Sequence, residues 1–150
     1  MKNTINPDGF IQIAIVVADI EKAAKAWAKL LGVPEPEIID AASERNPDVT
    51  YRGNVASYGL KVAHIRVSNF VIELHEPDKR DSTFSEFYKK HGNGVHHLGF
   101  EVGDRRDAIV NELEEMGYDM RQIGFYPGSS WTIVDSEGDL GVNLNIKPVR

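Results

Sequence analysis

The 150-residue chain contains no cysteine, which excludes disulfides, thiolate metal sites and a cysteine nucleophile. It has no apolar run near the roughly 18 residues that a membrane span needs. Met-Lys-Asn-Thr at the start leads into no apolar signal core, so a cytoplasmic protein with no membrane partner is expected. Excess positive charge is missing too: 17 basic residues stand against 23 acidic ones, a net charge of −6, and no basic run concentrates the cations. Nucleic acid is therefore not the expected partner. What is present is 41% hydrophobic residues in a length that suits one domain, 1–150.

The chain repeats itself. Phe10-Ile-Gln-Ile-Ala-Ile-Val-Val-Ala-Asp19 overlays Val95-His-His-Leu-Gly-Phe-Glu-Val-Gly-Asp104 at an offset of 85, placing Gln12 on His97 and Asp19 on Asp104. Each segment reads as a strand, an Asp N-cap, an amphipathic helix and a glycine stop (Gly32, Gly117). Ile72-Glu-Leu74 matches Val142-Asn-Leu144 in the same sense. Further strands are expected near Val49–Gly53, Leu60–Val67, Phe70–His75, Asp119–Ile123, Ser130–Asp135 and Leu140–Ile146. Ser82–Lys90 reads as a short helix capped by Ser82 or Asp81, and the proline-containing stretch 33–48 as an irregular loop. The expected fold class is α+β: two tandem βαβββ modules (about 10–76 and 94–147, joined by a linker helix at about 82–91) forming a curved mixed sheet around a cavity.

Strand alternation then sorts the polar residues. Ile11, Ile13, Ile15 and Val17 should pack under the first helix, leaving Gln12 on the opposite face. Leu98, Phe100 and Val102 should do the same under the second, leaving His97, Gly99 and Glu101 opposite and His96 on the helix side. A two-residue turn at Ser68-Asn69 sets His64 directly across from Glu73 and Arg66 across from Val71. Glu73 lies between Ile72 and Leu74, so its carboxylate is either partnered or lines a polar cavity. His64 beside Glu73 is a workable acid–base couple; the bland alternative is a cross-strand pair that only stabilises the sheet. His75 and Glu101 are second-rank candidates, Arg66 suits a carboxylate or phosphate, and Tyr58 and Trp131 suit pocket walls.

Phe10–Leu31, Val71-Ile-Glu-Leu-His-Glu-Pro77 and Gly94-Val-His-His-Leu-Gly-Phe-Glu-Val102 resemble the vicinal oxygen chelate superfamily of glyoxalase I, methylmalonyl-CoA epimerase, extradiol dioxygenases and bleomycin-resistance proteins. The pattern is closest to the epimerases. The resemblance implies paired modules enclosing a cavity, a homodimer, and one divalent metal held at Gln12, Glu73, His97 and Asn143, with Asn145 as the alternative in the last strand. Family epimerases and glyoxalases carry His at the first of these positions and Glu at the last. Two amides make a poor set for zinc, nickel or cobalt, so the metal is expected to be weakly bound or absent, with no organic cofactor. The resemblance also places a catalytic carboxylate where this chain has Ser57, so methylmalonyl-CoA epimerisation itself is not expected. What remains is an isomerase or lyase working by proton abstraction on a small oxygenated substrate through Glu73 with His64 or His97. The alternative is a non-catalytic protein that binds a small molecule in the same cavity.

Overall fold

The structure is a computed structural model and describes residues 3–46 and 48–149. Strand β1 (Phe10–Val16) runs into helix α1 (Ile20–Leu31), where the Asp19 carboxylate accepts the Lys22 N–H at 2.9 Å and Gly32, at φ 66°, ends the helix. Short strands β2 (Ile39–Asp40), β3 (Val49–Tyr51) and β4 (Asn54–Val55) precede the hairpin of β5 (Leu60–Val67) and β6 (Phe70–Pro77). Helix α2 (Thr83–His91), capped by Ser82, leads to β7 (Gly94–Glu101), α3 (Arg106–Glu115), β8 (Met120–Tyr126), β9 (Ser129–Val134), the single turn α4 (Glu137–Leu140) and β10 (Asn143–Lys147).

All ten strands form one curled sheet in the order β2-β5-β6-β1-β7-β10-β9-β8-β3-β4. In each half the first strand lies parallel to the last: β1 beside β6, β7 beside β10. The two halves meet along the antiparallel pair β1–β7. Alternation explains why the sheet has two different faces. Ala63, Ile65, Ile72 and Leu74 pack on α1 with Val17, Ile20 and Ala24, and Val134, Leu144 and Ile146 pack on α3 with Ile109 and Leu113. Their neighbours Leu60, Val62 and Val16 point the other way, where they bury Tyr58 and the α2 residues Phe84 and Phe87. Leu74, with no exposed surface, contributes about 2–3 kcal/mol by burial alone.

Five local expectations are corrected. The strand at Val49–Tyr51 leaves its own module and pairs with β8, Thr50 opposite Ile123, while Ile39–Asp40, from the stretch read as loop, takes the outer position beside β5. Asp104 does not cap α3: a 3-10 turn at Gly103–Arg105 precedes the helix, and no side chain bonds its first turn. Leu140 ends a helical turn instead of opening the last strand. His96 does not share the helix side with Leu98, because β7 bulges there: Ala14 faces His97 but Ile15 faces Val95. The extra residue turns His96 toward Phe84 and Phe87, on the same side as His97.

Candidate active site

The β5–β6 hairpin has the register its turn demands, with Val67 opposite Phe70 and His64 opposite Glu73. Glu73 thereby enters the concave face, where three side chains reach it. His64 Nε2 lies 3.0 Å from Oε2, Gln12 Nε2 donates to the same oxygen, and His75 Nε2 meets Oε1. Burial would raise this carboxyl, but the charges and hydrogen bonds of His75 and His64 outweigh it and hold Glu73 well below the usual carboxylate range. The site therefore holds a fixed carboxylate.

The amides around it are oriented by the backbone. Thr132 N–H donates to Asn145 Oδ1 at 3.1 Å, so Asn145 Nδ2 points to Gln12 Oε1 (3.3 Å) and toward His97 Nε2 (3.5 Å). Gln12, its oxygen used in this way, turns its own N–H to Glu73. The two halves correspond: Glu73 lies beside Ala14 on β1, and Asn145, not Asn143, lies beside the equivalent Gly99 on β7. Asn143 sits one pleat away, donating to His96 O at 3.1 Å and facing the groove behind α2. The assignment of Asn143 to the shared cavity is thus replaced by Asn145. The glycine matters here, because a Cβ at Gly99 would approach Gln12 Oε1 to 2.5 Å and Cβ to 2.7 Å. Gly99→Ala is expected to push Gln12 off Glu73 and to cost about 1–3 kcal/mol; urea unfolding together with a lost Gln12 amide resonance would check it.

A second chain fixes His97. His96 Nε2 contacts both the Thr83 hydroxyl (3.1 Å) and the Thr83 carbonyl (3.2 Å); a hydroxyl can accept and a carbonyl only accepts, so a proton on Nε2 satisfies both contacts. His96 Nδ1 is then the acceptor for His97 Nδ1–H at 2.8 Å, which leaves His97 Nε2 unprotonated toward the cavity. Burial pushes the His96 imidazole down to about 3, and burial with the neighbouring histidines also lowers His97 well below its ordinary value, so both are neutral near pH 7. Nitrogen-15 NMR of the imidazoles is expected to show His97 as the Nδ1–H tautomer; an Nε2–H signal would contradict the relay.

Two cavities meet at Glu73. The inner one, about 240 Å³, is walled by Tyr58, Phe84, Tyr126 and Trp131 and also reaches His75, His97 and Asn145. The outer one, about 360 Å³, opens past Arg66 and the Ser68-Asn69 turn. Gln12, His64, Glu73 and Lys147 border both. Glu101 does not join them: it lines a separate groove with Asn6 and Asp8. Lys147 was missed by the sequence reading although it shares the pleat of Asn145, and Thr83 was missed because a loop-to-helix junction carries no strand periodicity. Tyr58 is fully enclosed, and burial raises its phenol to about 12.

Residues 11–134 match the family model of the Glyoxalase/Bleomycin resistance protein/Dioxygenase superfamily. The chain belongs to that superfamily. Among curated proteins it is similar to the mitochondrial methylmalonyl-CoA epimerases of Homo sapiens (30% identity over 104 residues, 69% of this chain and 51% of the relative) and Mus musculus (27%, with 69% and 50% covered). The chain thus spans about half the length of these relatives. Among solved structures it is similar to methylmalonyl-CoA epimerase from Mycobacterium tuberculosis (TM-score 0.63, 19% identity, 100% of this chain and 93% of that one). A Streptomyces coelicolor methylmalonyl-CoA epimerase in complex with 2-nitronate-propionyl-CoA aligns at TM-score 0.61 with 21% identity over 92% of both chains. These confirm the α+β fold of two modules around a curled sheet.

Members of the superfamily commonly use a divalent metal, and the donor set here tests that use. The oxygens of Gln12 and Asn145, the parts of an amide that bind a cation, are both committed to N–H donors within the protein. Among the described residues no three His, Asp or Glu side chains converge as a metal site requires. The Nε2 atoms of His64 and His75 are spent on Glu73 itself, which leaves the carboxylate and His97 Nε2, too few to hold zinc or its neighbours. The residues present do not fit the metal.

Proposed function

We propose that this superfamily member is an isomerase or lyase that removes a proton next to a carbonyl of a small oxygenated substrate, using side chains alone. The carrying observation is the fixed Glu73 carboxylate in contact with His64 at the junction of the two cavities. A carboxylate that accepts from Nε2–H of His64 keeps Nδ1 as the base and stabilises the imidazolium that forms when the C–H bond breaks. His97, on the strand of the other module, offers a second unprotonated nitrogen to the inner cavity. Two bases from opposite modules suit transfer of a proton from one face of a carbon to the other, or elimination after the first step. His75 and Gln12 hold the carboxylate in place, and Tyr58 and Trp131 wall the space for the substrate.

Similar structures hold acyl-CoA compounds, methylmalonyl-CoA among them, so 2-substituted acyl thioesters belong in the substrate panel. The reaction is expected to differ from methylmalonyl-CoA epimerisation, since Ser57 is exposed and carries no carboxylate and the last-strand position is Asn145. The experiment is solvent deuterium incorporation, read by mass spectrometry, with chelator-treated protein and a panel of 2-substituted acids and thioesters. Exchange into at least one compound, lost in His64→Ala, is the expected result. A second reading, a binding protein that sequesters its ligand, draws on the aromatic walls of the inner cavity. Tight binding of a panel member without exchange would favour it.

A further inference from the structure

The outer cavity carries two cations that the acid–base machinery does not use. Arg66 projects from β5 and Lys147 from β10, strands that lie on opposite sides of the β6-β1-β7 centre, and the curl of the sheet brings both to the same 360 Å³ space. The chain is acid-rich, and every other described arginine pairs with a carboxylate: Arg45 with Asp40, Arg52 with Glu86, Arg80 with Asp78, Arg105 with Glu112, Arg106 with Asp107, Arg121 with Asp135. Among the described residues Arg66 forms no ion pair with a carboxylate, and Lys147, opposite Glu101 in the β7–β10 ladder, borders both cavities. Lys147 is close enough for its charge to bear on His97.

The obvious partner inside the cavity is Glu73, but its oxygens are occupied by Gln12, His64 and His75. Both oxygens of Glu73 are therefore already engaged, and the Arg66 guanidinium faces the outer cavity without a carboxylate bound to it. A guanidinium presents a planar fork that matches a carboxylate or phosphate with two parallel bonds, and an ammonium adds a point charge. The inner cavity beyond Glu73, about 240 Å³, has an apolar wall of Tyr58, Leu60, Val62, Phe84, Trp131 and Ile133 that suits the uncharged part of a ligand.

We infer that the outer cavity is an anion subsite in which Arg66 and Lys147 hold the carboxylate or phosphate of a small acid, with its reacting carbon directed inward to Glu73 and His64. This deepens the proposed function and rests on it for the placement of the reacting carbon. The subsite makes the substrate class narrower: a compact organic anion whose acidic C–H lies within a few bonds of the charged group.

Isothermal titration with malonate, inorganic phosphate and the neutral malonamide tests it, using wild type, Arg66→Gln, Lys147→Gln and the surface control Lys25→Gln. Malonate or phosphate is expected to bind, weaken with added salt, and lose at least tenfold in affinity in each of the Arg66 and Lys147 variants but not in the control. Stronger binding of malonate assigns the subsite to a carboxylate, and stronger binding of phosphate to a phosphoryl group. Failure of both anions to bind folded wild type, equal binding of malonamide, or affinity unchanged in the two variants would overturn the inference. The two readings fail separately. Deuterium exchange with an unchanged KM in Arg66→Gln and Lys147→Gln removes the subsite and leaves the chemistry; anion binding that needs both cations, without exchange into any compound, does the reverse.

Discussion

Glu73→Gln is expected to lower the deuterium-exchange rate by about 10²–10⁴-fold, the range that a positioned acid–base group supplies. The substitution keeps the volume of the side chain and can still accept from Gln12 or His64, so the fold should survive while the charge that stabilises a His64 imidazolium is lost. His75 would then face a neutral amide in a nearly closed space, and a stability loss of about 1–3 kcal/mol is expected from the weakened bonds. The two effects separate by measurement: urea unfolding reports the second, and exchange at saturating substrate reports the first. Exchange within threefold of wild type in Glu73→Gln would remove Glu73 from the chemistry.

The second large effect is on stability against acid. His96 is enclosed completely and its imidazole is held at about 3 against an ordinary value of 6.5. The folded state therefore binds fewer protons than the unfolded state between these pH values, so stability falls as pH falls through that window. From pH 6.5 down to 4.5 this single group costs roughly 2 kcal/mol, and His97, lowered by burial and by His96, acts in the same direction. Glu73 adds a loss below about pH 4.5, where the unfolded carboxyl takes up a proton while the folded one, held lower, stays ionised. Urea unfolding at pH 7 and 4.5 is expected to show this loss in wild type and a clearly smaller one in His96→Gln, which is less stable at pH 7 but has no imidazole to protonate. Equal slopes in the two proteins would contradict the assignment of His96 as the buried neutral partner of His97.

How much of this was legible in the sequence follows from what periodicity encodes. The hairpin register was readable because a two-residue turn and an alternating pattern admit one pairing, and this put His64 on Glu73. The internal repeat revealed Gln12 and His97 as equivalents and the paired modules that carry them. The same repeat gave Asn143 for the last strand because Ile72-Glu-Leu74 and Val142-Asn-Leu144 look alike, whereas the ladder sets Asn145 in that place. Asn-Leu-Asn alternates polar residues on one face, so hydropathy alone cannot choose between them. His96 escaped for a different reason: a bulge inserts one residue and reverses the alternation, and no local residue type marks it. The crossing of Val49–Tyr51 to β8 was hidden because strand patterns specify a buried face but not the partner strand. Amide orientation, which decides the metal question, depends on Thr132 N–H and Gln12, groups 13 and 133 residues away from Asn145 along the chain.

The central claim is that the shared positions of the two modules form a hydrogen-bonded acid–base network whose amide oxygens are spent inside the protein. Elemental analysis of protein purified without chelators, and again after dialysis against magnesium, manganese, cobalt, nickel and zinc, tests it most directly. The account predicts well under one equivalent of any divalent metal, with the same low content in Glu73→Ala and His97→Ala. One equivalent per chain that disappears in both variants would contradict it, and would mean that Gln12 and Asn145 turn their oxygens to a cation.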